Sequence, residues 1–179
     1  MPKIIEQLSQ KLVQEACRQV KENGYSATTI RSVAAGCGVG VGTVYNHFPS
    51  KEALVAAFML EDWQTCFAAV DRCAKAAATA EEVVHAMHIA LVDFSARHQG
   101  LFRDESARAA FAGAFSRYHV MLRDQLAGPV RRFCPDDFSA RFLTEALLSW
   151  TMAGESFDVL WPVLQRILSS KGEQHHVQF

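Results

Sequence analysis

The sequence predicts an all-α protein: an N-terminal three-helix helix-turn-helix domain, joined by a long helix to a C-terminal helical bundle that dimerises. Three observations predict it. Apolar residues recur at three- and four-residue steps along most of the chain, the period of an amphipathic helix, and no segment makes a convincing strand. Near the N-terminus, two short helical segments flank a turn rich in glycine. Two C-terminal segments are apolar around much of their circumference, more than one buried face requires.

Composition narrows the class. The 179 residues are enough for a compact domain and a small second one, and 50% hydrophobic content argues against disorder. No uninterrupted apolar run has the roughly 18 residues of a membrane helix, and "MPKIIEQLSQK" lacks the apolar stretch of a signal peptide. A cytoplasmic protein is expected. The five cysteines (Cys17, Cys37, Cys66, Cys73, Cys134) include no C-x-x-C and read as thiols. Residues 1–51 hold six Lys and Arg against three Glu, a net +3; the rest holds 12 against 16, a net −4. A basic head on an acidic body suits a polyanion at the head.

The elements follow in order. Ile5, Leu8, Leu12, Ala16 and Val20 line one face of a first helix, which Asn23-Gly24 ends. Thr28 is the expected N-cap of a second, short helix, "TIRSVAAG", with Ile30, Val33 and Ala34 facing inward. Gly36, Gly38, Gly40 and Gly42 come next. They do not form a dinucleotide loop: the sixth position counted from Gly36 is Val41, and from Gly38 it is Thr43, while the preceding segment is a helix rather than a strand. No G-K-[ST] follows. The glycines instead suit a tight turn. Gly38 takes a positive φ, Val39 plugs the core, Gly40 caps the third helix "VGTVYNHF", and Gly42 leaves a bare patch of backbone. Ser50 caps a fourth helix with Glu52 in its first turn.

The stretch "TTIRSVAAGCGVGVGTVYNHFPSKEAL" resembles the DNA-binding domain of the TetR/AcrR family of transcriptional regulators, over about residues 4–55. The pattern T-T-x-R-x-V-A, then G-V-x-x-G-T-x-Y-x-H-F-x-S-K-E-x-L, carries the resemblance. By position on the recognition helix, Val41, Thr43 and Asn46 are the candidates to reach base edges: Val41 toward a thymine methyl, Asn46 toward adenine. The resemblance implies Thr29, Tyr45, His47 and Lys51 as phosphate contacts, which set register without reading sequence. Arg31 is placed to reach a phosphate or a base, and Lys3 to act as an N-terminal arm. The chain departs from the family pattern at Gly40, often Ser, and at Val41, often polar or basic. Gly36 replaces a better helix former. The recognition helix has no Lys or Arg, which shifts readout toward DNA shape.

In the body, Leu54, Phe58, Trp63, Phe67 and Val70 extend the fourth helix over about 50–76. Thr79 and Glu82 form a capping box for the next helix, with Val83, Met87, Leu91 and Phe94 on one face and an end near 98–100. Ala107, Phe111, Phe115, Tyr118, Leu122 and Leu126 mark a further helix that Gly128-Pro129 stops or kinks. An aromatic-rich bundle suits a small apolar or aromatic effector. The candidate lining is Trp63, Phe67, Met87, His88, Phe111, Phe115, Tyr118, His119 and Trp150. The segments 140–154 and 159–168 would pair with a second copy through Leu143, Leu147, Trp150, Leu160, Val163, Leu164 and Ile167, as the resemblance also implies. Pro162 fits only a first turn or a kink, and 169–179 reads as a loose tail.

These expectations divide the chain into a DNA-binding domain (1–51), an effector and dimerisation domain (52–170) and a tail (171–179). The partners expected are a double-stranded operator, a small molecule and a second copy, with no membrane and no cofactor. No nucleophile triad or metal spacing is present, so no enzyme is expected. Two alternatives accompany this reading. One is an adaptor of the same fold that does not read DNA. The other is a thiol or metal sensor built from Cys66, Cys73, His85 and His88.

Overall fold

The computed structural model describes residues 2–168, with side-chain surroundings for residues 7–112 and 117–168. The tail at 171–179 and the side chains of Lys3 and Phe115 lie outside the described residues. The helices are α1 (Pro2–Asn23), α2 (Ile30–Gly36), α3 (Val41–His47), α4 (Lys51–Ala76), α5 (Ala80–Arg103), α6 (Glu105–Val130), α7 (Asp137–Met152) and α8 (Phe157–Leu168). A 3-10 turn, Arg131–Phe133, separates α6 from α7. Among the described residues there is no strand, as the all-α reading requires.

Two compact units divide the chain. One comprises Met1–Gln64 with Ala96–Phe115, the other Thr65–Ser95 with Ser116–Phe179. The first has its own core: Leu12, Val13 and Ala16 of α1, Ile30, Val33 and Ala34 of α2, Val44 of α3, and Leu54, Val55 and Phe58 of α4. Leu101, Ala107 and Phe111 complete it. The start of α6 is therefore part of the unit that holds the helix-turn-helix.

Local chemistry explains the boundaries. Gly24, at φ +84°, ends α1 where a side chain would be strained. The cap of α2 is Thr29, one residue later than expected. The Thr29 hydroxyl accepts from Ser32 N–H at 3.0 Å, and Ser32 Oγ accepts from Thr29 N–H at 3.0 Å. Thr28 is buried and donates instead to the Gly24 carbonyl at 2.9 Å, closing the loop. At the far end, Gly38 N–H donates to Ala35 O and Val39 N–H to Ala34 O, with Gly38 at φ +67°. This is a Schellman ending, and Val39 packs on the core beside it.

Elsewhere the chain runs further than expected. α5 continues through Gly100 to Arg103, and α6 holds Gly128 and Pro129 in its last turn before tightening into the 3-10 turn. Pro129 has no N–H to give to the carbonyl four residues earlier, so the last turn of α6 forgoes one helical hydrogen bond. Asp136 caps α7 by accepting from Ser139 N–H at 2.7 Å, so this helix starts three residues earlier than expected. Pro162 lies in the second turn of α8, on its exposed side, rather than in the first. α4 contains an 18-residue window of mean hydropathy 1.3, long and apolar enough to cross a membrane by length and composition. It lacks an unbroken apolar run because of Glu61 and Asp62. Leu54, Val55, Phe58, Trp63, Cys66, Val70 and Ala74 are buried along it, the pattern of a core helix.

Candidate nucleic-acid interface

The helix-turn-helix presents one continuous outer face. Val44 turns α3 inward onto the core, which leaves Val41, Gly42, Tyr45 and Asn46 exposed on the opposite side, at steps of one, three and four. Tyr45 is 53% exposed, too open for a packing role. A Cβ added at Gly42 would meet nothing within 4 Å, so the backbone there is bare toward solvent. Gly40 caps α3 without a side-chain hydrogen bond. Thr43 and His47 are half-buried at the margins, and His47 packs on Phe48 with ring centres 6.4 Å apart. Arg31 projects from α2, exposed and without an ion pair among the described residues.

A polar network sets α1 against α2. Gln19, buried, donates to Glu15 Oε1 at 2.7 Å and to the Ser32 carbonyl at 3.1 Å, and accepts from Ser32 Oγ at 2.6 Å. Arg18 grips Glu15 through two hydrogen bonds and reaches Glu22 as well. The bonds from Arg18, then from Gln19, hold the Glu15 carboxyl down to about 2. Gly36 faces this carboxylate: a Cβ there would run into Glu15. A larger residue at that position would oblige the Glu15 side chain to shift.

Lys51 is not the free cation that the sequence suggests. Its ammonium donates to the Tyr25 carbonyl at 3.0 Å and lies over the Tyr25 ring at 3.7 Å. Tyr25 is buried, donates its hydroxyl to Glu52 at 2.9 Å and meets Phe111 at 5.8 Å between ring centres. Burial, then the bond to Glu52, pushes the Tyr25 hydroxyl far above its ordinary value, and burial pulls Lys51 below its own. Below this hub, Asp62 on α4 accepts from Arg97 at 2.9 Å and pairs with buried His98 at 2.8 Å, and Phe58 stacks on the His98 ring.

The effector candidates are dispersed. Trp63 and Phe111 are buried in the first unit, and Phe111 serves the head core. In the second unit Met87 is fully buried, and Phe67 and Tyr118 are half-buried. His88 is bonded to Thr151 at 3.0 Å, His119 to Glu145 at 2.7 Å, and Trp150 faces outward. An open cleft of about 270 Å³ in this unit is lined by Asp124, Ala127, Arg131, Asp137 and Arg141, none of them a candidate. Among the described residues no three metal-ligating side chains gather; Cys73 donates to the Glu82 carbonyl at 3.7 Å.

The pairing candidates separate into two sets. Leu143, Leu147, Leu160 and Leu164 are buried within the chain, and Ile167 is half-buried. Trp150 and Val163 are exposed, the latter at 61%. Phe138 (70%), Phe142 and Val159, which the sequence reading missed, are exposed as well. Phe138, Phe142 and Trp150 stand four and eight residues apart, one row of α7. That spacing is the signal that could have found them.

Residues 12–58 match the family model described as "Bacterial regulatory proteins, tetR family". The transcriptional regulator UidR of Escherichia coli K12 is 37% identical over 54 residues, 30% of this chain and 28% of UidR. The matched part thus spans little more than a quarter of that relative. Among solved structures, the transcriptional regulator SCO7518 of Streptomyces coelicolor A3(2) superposes with a TM-score of 0.68 at 19% identity, covering 90% of this chain and 98% of the other. RolR in complex with resorcinol gives 0.61 at 21% identity, covering 97% and 92%. These likenesses show the shared fold of head and helical body.

Proposed function

We propose that this chain, whose residues 12–58 match the model of the tetR family of bacterial regulatory proteins, is a DNA-binding transcriptional repressor that acts as a homodimer and is released by a small apolar or aromatic effector. The observation that carries the reading is the exposed face of α3, with Val41, Tyr45 and Asn46 around the bare backbone of Gly42. A surface of this shape suits a major groove, where a short side chain lets the backbone approach. Thr29, Arg31, Thr43, His47 and Lys51 are assigned to its margins, and Tyr45 to a phosphate contact made from the face itself. For Lys51, the remaining ammonium hydrogens are the ones available to a phosphate.

The exposed row on α7, with Val159 and Val163 of α8, supports pairing of two copies. Two α3 helices would then enter successive major grooves about 34 Å apart. Effector release requires that the ligand favour the non-binding arrangement by differential affinity. RolR, of the same fold, is solved with resorcinol, which accords with an aromatic effector. The operator-binding protein would work in the cytoplasm.

A second reading, an adaptor that does not read DNA, has one observation in its favour: α3 contains no Lys or Arg. Selection from a random duplex pool separates the two. The regulator reading predicts enrichment of a pseudo-palindrome with half-sites one helical turn apart. No enriched sequence from folded, dimeric protein at low salt would favour the adaptor.

A further inference from the structure

We propose that His88 is the polar anchor of a binding site for a neutral aromatic molecule carrying a hydroxyl group, a phenol, walled by His85, Phe157 and Trp161 in the second unit. This deepens the effector part of the reading above and rests on that reading only for the effector role. His88 is 8% exposed, and its Nδ1 lies 3.0 Å from Thr151 Oγ1. Neither residue makes another side-chain hydrogen bond among the described residues, so His88 Nε2 has no protein partner. Among the described residues no fully buried side-chain nitrogen or oxygen is left unpaired. Nε2 therefore opens onto accessible space rather than into the core.

Aromatic rings pack beside His88. Phe157 meets His85 at 4.4 Å and His88 at 5.7 Å between centres, and Trp161 stacks on Phe157 at 5.8 Å and 14°. One polar atom beside an aromatic wall orients a flat ligand by a single hydrogen bond. Burial, and then the neighbouring His85, disfavours the charged imidazole. A neutral ring presents either a lone pair or an N–H at Nε2, depending on which way the Thr151 hydroxyl points. A hydroxyl group satisfies both, because it donates and accepts; a carboxylate satisfies only one.

The test titrates the full chain with phenol and with toluene, which replaces the hydroxyl by a methyl, using calorimetry and ¹⁵N NMR of the histidine rings. Phenol is expected to bind at least tenfold more tightly than toluene and to move the His88 Nε2 resonance. His88→Phe should abolish the preference, and His88→Gln, whose amide reaches the Nε2 position, should keep part of it. Equal binding of the two probes, an unmoved Nε2 resonance at saturation, or an unchanged preference in His88→Phe overturns the proposal. The NMR arm on the unmodified protein decides even if the variants fail to fold. Operator affinity, measured in parallel, separates the two claims. Phenol binding with unchanged operator affinity supports the site and overturns its effector role, whereas phenol binding by a protein with no operator overturns the regulator reading alone.

Discussion

The Lys51 ammonium lies 3.7 Å from the centre of the Tyr25 ring and donates to the Tyr25 carbonyl at 3.0 Å. One cation thus fastens the start of α4 to the loop between α1 and α2, and the Tyr25 hydroxyl returns the tie through Glu52. A lysine that resembles a phosphate contact in sequence is also a structural latch. Lys51→Ala should lower unfolding stability by about 1–3 kcal/mol, because it removes the cation–π interaction and the hydrogen bond together. Denaturant unfolding measures it. A loss smaller than about 0.5 kcal/mol would mean that the latch is incidental.

The capping box of α2 supports the approach to the recognition helix. Thr29→Ala should cost about 1 kcal/mol, and Thr28→Ala should also destabilise, through the bond to the Gly24 carbonyl. Thermal unfolding of both variants checks that two adjacent threonines act at two different places.

Acid should weaken the α1–α2 network in a defined window. The Glu15 carboxyl is held at about 2, below its ordinary 4.5. A depressed carboxyl contributes stability above its unfolded value, and that contribution is lost as pH falls from about 4.5 toward 2. Glu15→Gln should therefore be less stable than the parent near pH 6, with the gap closing toward pH 2. Unfolding midpoints across that range measure it, and a gap that stays constant would contradict the assignment.

His98 has the same sign in a different window. Burial holds its imidazole below the ordinary 6.5, against the pull of Asp62 and with Arg97 and Lys21 also opposing the charge. Stability from this group is present above pH 6.5 and falls as pH drops below it. His98→Gln should flatten the dependence between pH 7 and 5.

The outer and inner faces of α7 and α8 should respond differently. Val163→Asp and Phe142→Asp place a charge on the exposed row and should convert a dimer to a folded monomer, read by analytical ultracentrifugation. Leu143→Ala opens a cavity within the chain and should cost about 2–5 kcal/mol. A protein that is monomeric before any substitution would overturn the pairing proposal.

Much of the head was legible because its signals are local. Gly24 and Gly38 announce the helix ends, Val39 announces the core, and the glycine register rules out a phosphate loop. The choice of Thr28 over Thr29 failed because two adjacent threonines compete for one cap, and the Gly24 carbonyl decides between them. Phe111 was unreadable for another reason. Its period fits any apolar face, and only the folded chain brings it to Tyr25, 86 positions earlier. Phe138 was missed because the Asp136 cap, which starts α7 early, was not recognised.

The salt dependence of operator binding tests the central claim most directly. Affinity of the unmodified protein and of Arg31→Ala for the selected duplex would be measured from low to high salt. The account predicts a steep fall for the parent, and a slope shallower by roughly 2 for the variant, because each of two copies would neutralise one phosphate fewer. Specific binding with an identical slope in Arg31→Ala would remove Arg31 from the phosphate-binding set. No specific binding at low salt, from a folded dimer, would contradict the account.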